Sequence, residues 1–359
     1  MSEMTLTIDA RMIDDSGIGT YLKNLLPYVL EVFTVRLLGN RAKLHRYSKR
    51  PNCQIIDFNA PLYSLKEQLL LPFIVPKTDV FWAPHFNTPM LPIRVKHRIT
   101  TIHDVNHLSE ITSLSRLKKK YSRILYENAL RRSSKIITVS NFSKKEILKY
   151  TDENPSKIKV IYCGVSEDFK TCKPLITELP TRYVLFVGNV KPHKNLITLL
   201  KAYSSLTKQL QGEVKLVVLG KKTGFITPDK HIFEFIDTMN LTSAVYFTDY
   251  VKDALVPSIY KNAELLVFPS MYEGFGLPLI EAMAVGTPVL SSNAGSLPEI
   301  GGDAVRYFDP LNAEDLASQL EQFLTNTGLQ KQYVEKGLEH MKKFCWKKSA
   351  HEHIKVLSQ

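Results

Sequence analysis

Hydrophobic and polar positions along this chain predict short buried strands separated by amphipathic helices. In the first half, strands are predicted at 4–11, 79–84, 98–104 and 135–140, and helices at 19–32, 115–133 and 140–150. In the second half, strands are predicted at 183–189, 214–220, 263–270 and 288–292, and helices at 195–206, 277–286 and 313–326. Such alternation is typical of parallel sheets with crossover helices, and it occurs twice. The sequence therefore predicts an α/β protein with two doubly wound, Rossmann-like domains that face a cleft.

Two of the predicted helices carry local sequence signals. Pro27 interrupts the helical pattern of 19–32, since proline lacks the N–H that a helix interior requires. In 140–150, Ser143 is followed three residues later by Glu146, the spacing of a capping box. We therefore expect Ser143 to cap the helix in that segment.

The length of 359 residues favours two domains over one. Residues 167–182 contain two prolines and little periodicity, so the boundary is expected there. We assign 1–175 to a first domain that binds the acceptor and 176–342 to a second domain that binds the donor. The C-terminal helix, 343–359, is expected to pack back on the first domain.

Several classes of protein are disfavoured by composition. No run of about eighteen apolar residues is present, and the N-terminus lacks the basic and apolar regions of a signal peptide. The four cysteines are scattered without a C-x-x-C pair, which disfavours a disulfide framework or a zinc site. These features predict a protein of the reducing cytoplasm.

The positive charge is concentrated in the first half of the chain. Residues 1–175 carry 28 Lys and Arg against 16 Asp and Glu, whereas residues 176–359 carry 19 of each kind. This asymmetry predicts an anionic partner for the first domain, such as a membrane surface, nucleic acid or a phosphorylated acceptor. The helix predicted at 115–133 holds seven of these cations and is either a solvated face or a face for an anionic membrane.

A glycine-rich turn at 274–278 lies between two glutamates, Glu273 and Glu281. Glycines before a helix let backbone N–H groups approach a ligand, and those groups together with the helix dipole favour phosphate. Glu281, early in the helix, can accept hydrogen bonds from a ribose diol, and Glu273 is placed for a donor sugar. The spacing fits equally well a plain strand–helix turn with two surface glutamates.

This segment resembles the glutamate–seven residues–glutamate motif of family-4 glycosyltransferases, retaining enzymes of the GT-B fold. The similarity continues through 281–310, and 183–196 resembles the family's strand–glycine–lysine signature. The resemblance implies that Lys194 meets the donor diphosphate. Many members have arginine just after the glycine, but here that position is Asn189, for which His193 or Lys191 would substitute.

In the first domain, residues 9–26 are similar to the family's N-terminal glycine loop, and 100–108 to its strand-end histidine motif. The resemblance implies that Gly17 and Gly19 let the backbone approach the donor phosphate or the acceptor. It also implies that His103 faces the donor sugar and stabilises charge at the reacting carbon. Taken without the resemblance, a histidine that merely caps a strand is the better interpretation of His103.

The resemblance implies a retaining, metal-independent hexosyl transfer in which catalysis rests on His103, Lys194 and Glu273. No cofactor and no metal site are expected. Further donor contacts are implied for these residues: Gly17, Gly19, Asn189, His193, Tyr250, Val251, Gly274, Phe275, Gly276, Leu277 and Glu281. Among them, Tyr250 and Val251 occupy the positions that hold the base of the nucleotide.

The motifs look most like the mannosyltransferase branch, so GDP-mannose is the expected donor. The implied acceptor is a lipid-linked or growing oligosaccharide of cell-surface polysaccharide, of the O-antigen (lipopolysaccharide) or capsule type, and the implied location is the cytoplasm or the inner face of the cell membrane. Alternatives are a UDP- or dTDP-sugar donor, as in a glucosyl- or rhamnosyltransferase, and a sugar-nucleotide epimerase. A basic nucleic-acid-binding protein is disfavoured, because no groove-reading helix, RNA-binding signature or zinc finger is present.

Overall fold

The computed structural model describes residues 4–112, 114–172, 179–220 and 231–359, which divide into two compact units. One unit comprises Met1–Gly164 together with Cys345–Gln359, and the other comprises Val165–Phe344. The chain enters the second unit before the linker expected at 167–182, because the Phe169 ring packs edge to face on Tyr260 with centroids 5.3 Å apart. Residues 173–178 of that linker lie outside the described residues.

The first unit is built on a parallel sheet. Within the described residues its seven strands are β1 (Thr5–Asp9), β2 (Thr34–Gly39), β3 (Cys53–Asp57), β4 (Thr78–Ala83), β5 (Val95–Ile102), β6 (Lys135–Thr138) and β7 (Ile158–Val160). They lie in the order β3-β2-β1-β4-β5-β6-β7, and every recorded pairing is parallel. The strand order reverses direction between β1 and β4, which is where the carboxyl ends of such a sheet open a ligand crevice.

The second unit repeats this architecture. Its strands in the described part of the chain are β8 (Tyr183–Val187), β9 (Lys215–Leu219), β10 (Val245–Phe247), β11 (Leu265–Phe268), β12 (Val289–Ser292) and β13 (Arg306–Phe308). The order is β10-β9-β8-β11-β12-β13, again with parallel pairings, and the reversal falls between β8 and β11. The prediction of two parallel α/β sheets is confirmed.

Helices connect the strands. Up to Gly164 they are α1 (Ser16–Val29), α2 (Arg41–Leu44), α3 (Leu65–Ile74), α4 (Arg116–Arg132) and α5 (Asn141–Tyr150). Beyond it they are α6 (Glu167–Lys170), α7 (Leu196–Ser204), α8 (Lys208–Glu213), α9 (His231–Thr238), α10 (Val256–Lys261), α11 (Leu277–Val285), α12 (Leu297–Gly301), α13 (Ala313–Thr325), α14 (Thr327–His340) and α15 (Trp346–Leu357). Among the described residues, no helix combines the length and apolar character needed to cross a membrane.

Two helix starts differ from those predicted. Helix α1 begins at Ser16 and keeps Pro27 in its last turns, so the predicted start at 19 is wrong. In α5 the cap is Ser140, whose hydroxyl accepts a hydrogen bond from the Ser143 N–H at 2.9 Å. Ser143 is therefore inside the helix, and its hydroxyl donates to the carbonyl of His103 at 2.8 Å. The predicted cap at Ser143 is wrong, because a serine three residues earlier satisfies the free N–H.

The C-terminal helix α15 belongs to the first unit. Its His353 is fully buried and hydrogen-bonded to the hydroxyl of Tyr21 in α1, and burial lowers the pKa of His353 to about 4. Tyr21 also packs edge to face on Trp346, with ring centroids 6.1 Å apart. A Cβ on Gly164 would overlap the backbone of Trp346, so glycine is required where residue 164 packs against the start of α15.

Candidate functional site

The predicted donor residues of the second unit follow two neighbouring strands. Lys194 lies in the connection that leaves β8, and Glu273 lies in the connection that leaves β11. Because β8 and β11 flank the reversal of strand order, their carboxyl ends form the crevice where ligands of such sheets bind. The two residues are therefore brought to the position that the topology reserves for a ligand.

Lys194 and Glu273 form a direct ion pair. The Lys194 ammonium donates to Oε1 of Glu273 at 2.5 Å, and the two side chains are only 20% and 15% exposed. The same ammonium lies 5.3 Å from the centroid of the Phe268 ring, close enough for a cation–π contact. The sequence identified both residues as catalytic candidates, and the structure shows that they touch.

Asn195 ties the two connections together. It adopts a left-handed conformation with φ of +55°, between a short 3-10 turn at Pro192–Lys194 and the start of α7. Its buried amide donates to the carbonyls of Pro269 and Pro310 at 3.1 and 2.8 Å. Sequence reasoning missed Asn195, although an asparagine is one of the few residues that adopts this conformation readily. These two bonds fix the backbone directly after Lys194.

A positive φ explains the glycine before Asn189, and a close backbone approach explains a second glycine, Gly220. Gly188 has a φ of +147°, and a Cβ on Gly220, which follows β9, would overlap the carbonyl oxygen of Gly188. His193 contributes its own carbonyl, which accepts from the N–H of Met271 at 2.8 Å. Asn189 and His193 are thus half-buried members of the loop that carries Lys194.

The turn before α11 has the conformation that the glycines suggested. Gly276 is the N-cap with a φ of +97°, and a Cβ there would lie 2.7 Å from a methyl of Leu297. The Phe275 ring is buried against Phe344, so this residue can offer a ligand only its backbone. Gly274 is buried, and Leu277 is the first helical residue. The amino end of α11 is the positive end of the helix dipole, although Pro278 has no N–H and the N–H of Leu279 donates to the carbonyl of Gly276 at 3.0 Å.

Glu281 lies in α11, one turn after its start. Its Oε2 accepts a hydrogen bond from the Tyr260 hydroxyl at 2.7 Å. Burial raises the pKa of Glu281 to about 7, although the Tyr260 hydrogen bond acts in the opposite direction. A carboxyl group with this pKa is only partly ionised at neutral pH. The sequence predicted Glu281 but not its partner Tyr260, which comes from another helix, α10.

Tyr250 and Val251 follow a different strand from those that precede Lys194 and Glu273. They follow β10, the edge strand, which is separated from β8 by β9. Tyr250 is 74% exposed, and the preceding Asp249 has a φ of +51°. Their predicted contact with the base of the nucleotide stays a prediction.

The first unit has a charged cluster at its own reversal point. Arg11 follows β1 and donates from Nε and Nη2 to the carboxylate of Asp9 at 2.8 and 2.5 Å. Its Nη2 also lies 2.5 Å from the carboxylate of Glu67, which accepts two further bonds at 2.8 Å from the Asn87 amide. Burial lowers the pKa of Arg11, but the two carboxylates outweigh it and leave the pKa raised. Sequence reasoning missed this cluster.

His103 follows β5, the neighbour of β4. Its Nε2–H donates to the carbonyl of Pro84 at 2.9 Å, which leaves Nδ1 as the acceptor in the neutral ring. Burial lowers the pKa of His103, so the imidazole is uncharged at neutral pH. The ring packs edge to face on Tyr21 at 4.8 Å. Any stabilisation of positive charge by His103 must therefore come from the Nδ1 lone pair.

The two glycines of the first motif have different surroundings. Both lie in the first turns of α1 rather than in a loop before it. A Cβ on Gly19 would lie 2.5 Å from the carbonyl oxygen of Ile13, whereas a Cβ on Gly17 would meet nothing within 4 Å. Gly19 is thus needed for packing of the preceding segment, and only Gly17 presents an open backbone.

Gly19→Ala should lower the melting temperature, whereas Gly17→Ala should leave it unchanged or raise it. Overpacking typically costs about 1–3 kcal/mol, while alanine in place of glycine favours a helix by up to about 1 kcal/mol. Thermal unfolding of both variants measures this difference. If Gly17 also lets a ligand approach, its variant loses turnover while its stability is kept. An equal loss of stability in both variants would contradict the assignment of Gly19 to packing.

In the described part of the chain, no group of three or more His, Cys, Asp or Glu side chains is placed to hold a metal ion.

Comparison with known proteins assigns these motifs to a family. The model of the family described as "Glycosyl transferases group 1" matches residues 154–340, and that of "Glycosyltransferase Family 4" matches residues 16–169. The first match contains Lys194, Glu273 and Glu281, and the second contains His103 and both glycines of α1.

Curated relatives carry related names. The O-antigen chain mannosyltransferase B of Escherichia coli is 29% identical over 75% of this chain and 71% of its own length. The serotype-specific mannosyltransferase WbdA of Escherichia coli is 30% identical over 64% of this chain, but the match spans only 29% of that longer protein. The predicted resemblance to the mannosyltransferase branch is confirmed by these relatives.

Solved structures agree on the fold. The crystal structure of Anabaena HepE in complex with UDP-glucose superposes with a TM-score of 0.78 at 17% identity and covers 99% of both chains. At this identity the similarity concerns the fold, which is that of a GT-B glycosyltransferase, as predicted.

Proposed function

This chain belongs to the group 1 glycosyl transferases, and we propose that it transfers mannose from GDP-mannose to a glycan acceptor with retention of configuration. The observation that carries the proposal is the Lys194–Glu273 pair at the carboxyl ends of β8 and β11, beside the amino end of α11. The mannosyltransferase names of the curated relatives support the sugar, and the O-antigen name of the first supports a polysaccharide acceptor. The acceptor we propose is a lipid-linked or growing oligosaccharide.

Each end of the donor meets a different part of the site. The positive amino end of α11 and the Lys194 ammonium bind the diphosphate. The ionised carboxylate of Glu281 accepts hydrogen bonds from the ribose hydroxyls. Glu273 orients the sugar, and diphosphate oxygens replace Glu273 as the main partner of Lys194 when the donor binds. The ion pair of the free protein thus keeps the cation in place beforehand.

The chemistry follows from this arrangement. The bond between the anomeric carbon and the diphosphate oxygen breaks, and the diphosphate takes the electron pair. Lys194 and the α11 backbone stabilise this developing negative charge, which is where electrostatic catalysis is most effective. The acceptor hydroxyl forms the new bond on the same face of the sugar, and a diphosphate oxygen accepts its proton. The neutral His103 keeps its proton on Nε2, accepts a hydrogen bond from a substrate hydroxyl at Nδ1, and transfers no proton in this scheme.

A donor panel tests the proposal. We expect GDP-mannose and GDP to raise the melting temperature more than UDP-glucose or dTDP-rhamnose at equal concentration, because ligand binding stabilises the folded state. With a mannose-terminated oligosaccharide as acceptor, GDP-mannose should give an α-linked product by NMR, and the rate with EDTA should equal the rate without it.

Three results would contradict parts of the proposal. Preference for a UDP- or dTDP-sugar would assign another donor to the same site. Conversion of the sugar nucleotide without acceptor into its epimer would make the protein an epimerase. An inverted anomeric configuration in the product would exclude retention.

A further inference from the structure

Helix α3 presents a row of apolar side chains to solvent. Leu65, Leu69 and Phe73 are 77%, 61% and 83% exposed, and Leu70 beside them is 39% exposed. Residues four apart lie on one face of a helix, so the first three form a continuous ridge. Exposed apolar surfaces of this kind on a globular unit usually mark an interaction site.

The orientation of α3 is fixed by its opposite face. Glu67 is fully buried and bound by Arg11 and Asn87, and the Gln68 amide donates to Asn87 at 3.0 Å. Leu71 is fully buried as well. Rotation of the helix to bury the ridge would break these bonds. The buried contacts of α3 therefore keep the ridge exposed to solvent.

Helix α4 extends this surface. Its Leu117 and Ile124 are 81% and 42% exposed, and they lie on one face, two turns apart. The Tyr121 hydroxyl, between them, donates to the carbonyl of Tyr63 at 3.3 Å, immediately before the cap of α3. This contact joins the exposed middle of α4 to the amino end of α3. We call these residues, Leu65, Leu69, Phe73, Leu117 and Ile124, together with the exposed cations of both helices, the α3–α4 face.

Exposed cations surround the apolar residues of the α3–α4 face. They are Lys66, Arg116, Lys118, Lys120, Arg123 and Arg131. In these two helices, which are described in full, Glu127 is the only exposed acidic residue, since Glu67 is buried. The charge therefore favours an anionic partner.

Not every cation of the basic helix faces solvent. Lys119 donates to the carbonyl of Ser109 at 2.9 Å, and Arg132 donates from Nε to the Asn128 side chain at 2.9 Å. The Lys119 bond anchors α4 to the segment before it, and the Arg132 bond lies within α4 near its end. A test of the surface charge must therefore leave Lys119 and Arg132 intact.

We propose that the α3–α4 face docks the protein on the surface of an anionic lipid bilayer. The apolar ridge of α3 and Leu117 of α4 enter the boundary of the acyl chains, while the flanking lysines and arginines meet the anionic headgroups. A helix with an apolar ridge and basic flanks suits this interface, because the two kinds of contact act together. The inference is independent of the transfer chemistry, since none of these residues belongs to the donor site.

Vesicle co-sedimentation of the full chain tests the proposal, with phosphatidylglycerol/phosphatidylcholine vesicles and vesicles of phosphatidylcholine alone. We expect wild type to bind the anionic vesicles at low salt and to bind more weakly at high salt. The Leu69→Ser/Phe73→Ser variant and the Lys118→Glu/Lys120→Glu variant should each bind anionic vesicles at least about tenfold more weakly.

Matched controls use similar changes elsewhere. Leu311→Ser removes an equally exposed apolar side chain, and Lys347→Glu/Lys348→Glu reverses two exposed lysines of α15, so neither should alter binding. Binding that is absent in wild type, or that the controls weaken as much as the α3–α4 variants do, would overturn the proposal. Concentration-dependent dimerisation that Leu69→Ser/Phe73→Ser abolishes, without vesicle binding, would overturn it in favour of a second copy of the chain. Circular dichroism of each variant confirms that its fold is kept.

Discussion

Lys194→Ala should reduce turnover with GDP-mannose about a hundredfold and leave the fold intact. Its charge matters most as the diphosphate leaves, so the loss belongs to the transition state more than to binding. Asn189 cannot replace it, because the amide side chain carries no charge. The fold tolerates the change because the Lys194–Glu273 pair is partly exposed to solvent.

Steady-state kinetics and thermal unfolding together check this prediction. Lys201→Ala is the matched control, since it removes an exposed lysine from α7, the helix that follows Lys194. A fall in kcat with little change in KM is expected for Lys194→Ala and no change for the control. Near-normal turnover of Lys194→Ala would move the role of the phosphate-binding cation to Lys191 or His193.

The sequence predicted the sheets well because buried parallel strands leave a strong local signal. Runs such as 183–189 and 263–270 are almost wholly apolar, and β8 and β11 fall inside them. Lys194 and Glu273 follow these strands. Their position at the carboxyl edge of the sheet could therefore be predicted from the rule that ligands of parallel sheets bind at this edge. Among the described residues, five strands were not predicted: β2, β3, β7, β10 and β13. The last three carry three residues each, which is too few to show a clear period.

Contacts between distant residues could not be predicted from one sequence. Lys194 and Glu273 are 79 positions apart, and Arg11 meets Glu67 across a comparable interval of chain. Nothing local to Tyr260 indicates that its hydroxyl reaches Glu281. The electrostatic state of these groups depends on such contacts, so the raised pKa of Glu281 emerges only from the folded structure.

The α3 ridge illustrates a different limit. The sequence of 65–74 is apolar almost all round, which by itself favours a buried segment. The structure leaves three of these side chains more than half exposed, because the polar residues Glu67 and Gln68 face inward to Arg11 and Asn87. A buried ion pair thus determines which side of the helix meets solvent, and a hydropathy pattern does not report it.

Glu281→Gln should weaken binding of GDP at pH 8 by about 1.5–3 kcal/mol, the usual contribution of hydrogen bonds to a charged group. With a pKa of about 7, the wild-type carboxyl ionises between pH 6 and pH 8, so wild-type affinity should rise over that interval. The variant has no group to ionise at this position and should show no such rise. Isothermal titration calorimetry at several pH values measures both effects.

Glu281→Gln should weaken GDP binding but raise the stability of the ligand-free protein at pH 8. The folded pKa of Glu281 is raised from 4.5 to about 7, so the folded protein holds this proton more tightly than the unfolded chain does. The stability of the ligand-free protein therefore falls as the pH rises from about 4.5 to about 7 and stays lower above it. Glu281→Gln removes this cost, so its melting temperature should exceed that of wild type at pH 8 and match it near pH 5.

Two further variants test whether these effects come from the Glu281 carboxyl and its hydrogen bond to Tyr260. Tyr260→Phe removes the hydrogen bond that stabilises the carboxylate, so the pH at which GDP affinity rises should move upward. Glu321→Gln, a change of an exposed glutamate in α13, should alter neither affinity nor the pH dependence of melting. If Glu281→Gln binds GDP as tightly as wild type at pH 8, Glu281 does not hold the ribose. If in addition its melting temperature equals that of wild type at every pH, the carboxyl is not strained by burial. A functional group kept at the cost of stability is expected to show both changes together, since the burial that strains the free carboxylate also strengthens its bonds to the ligand.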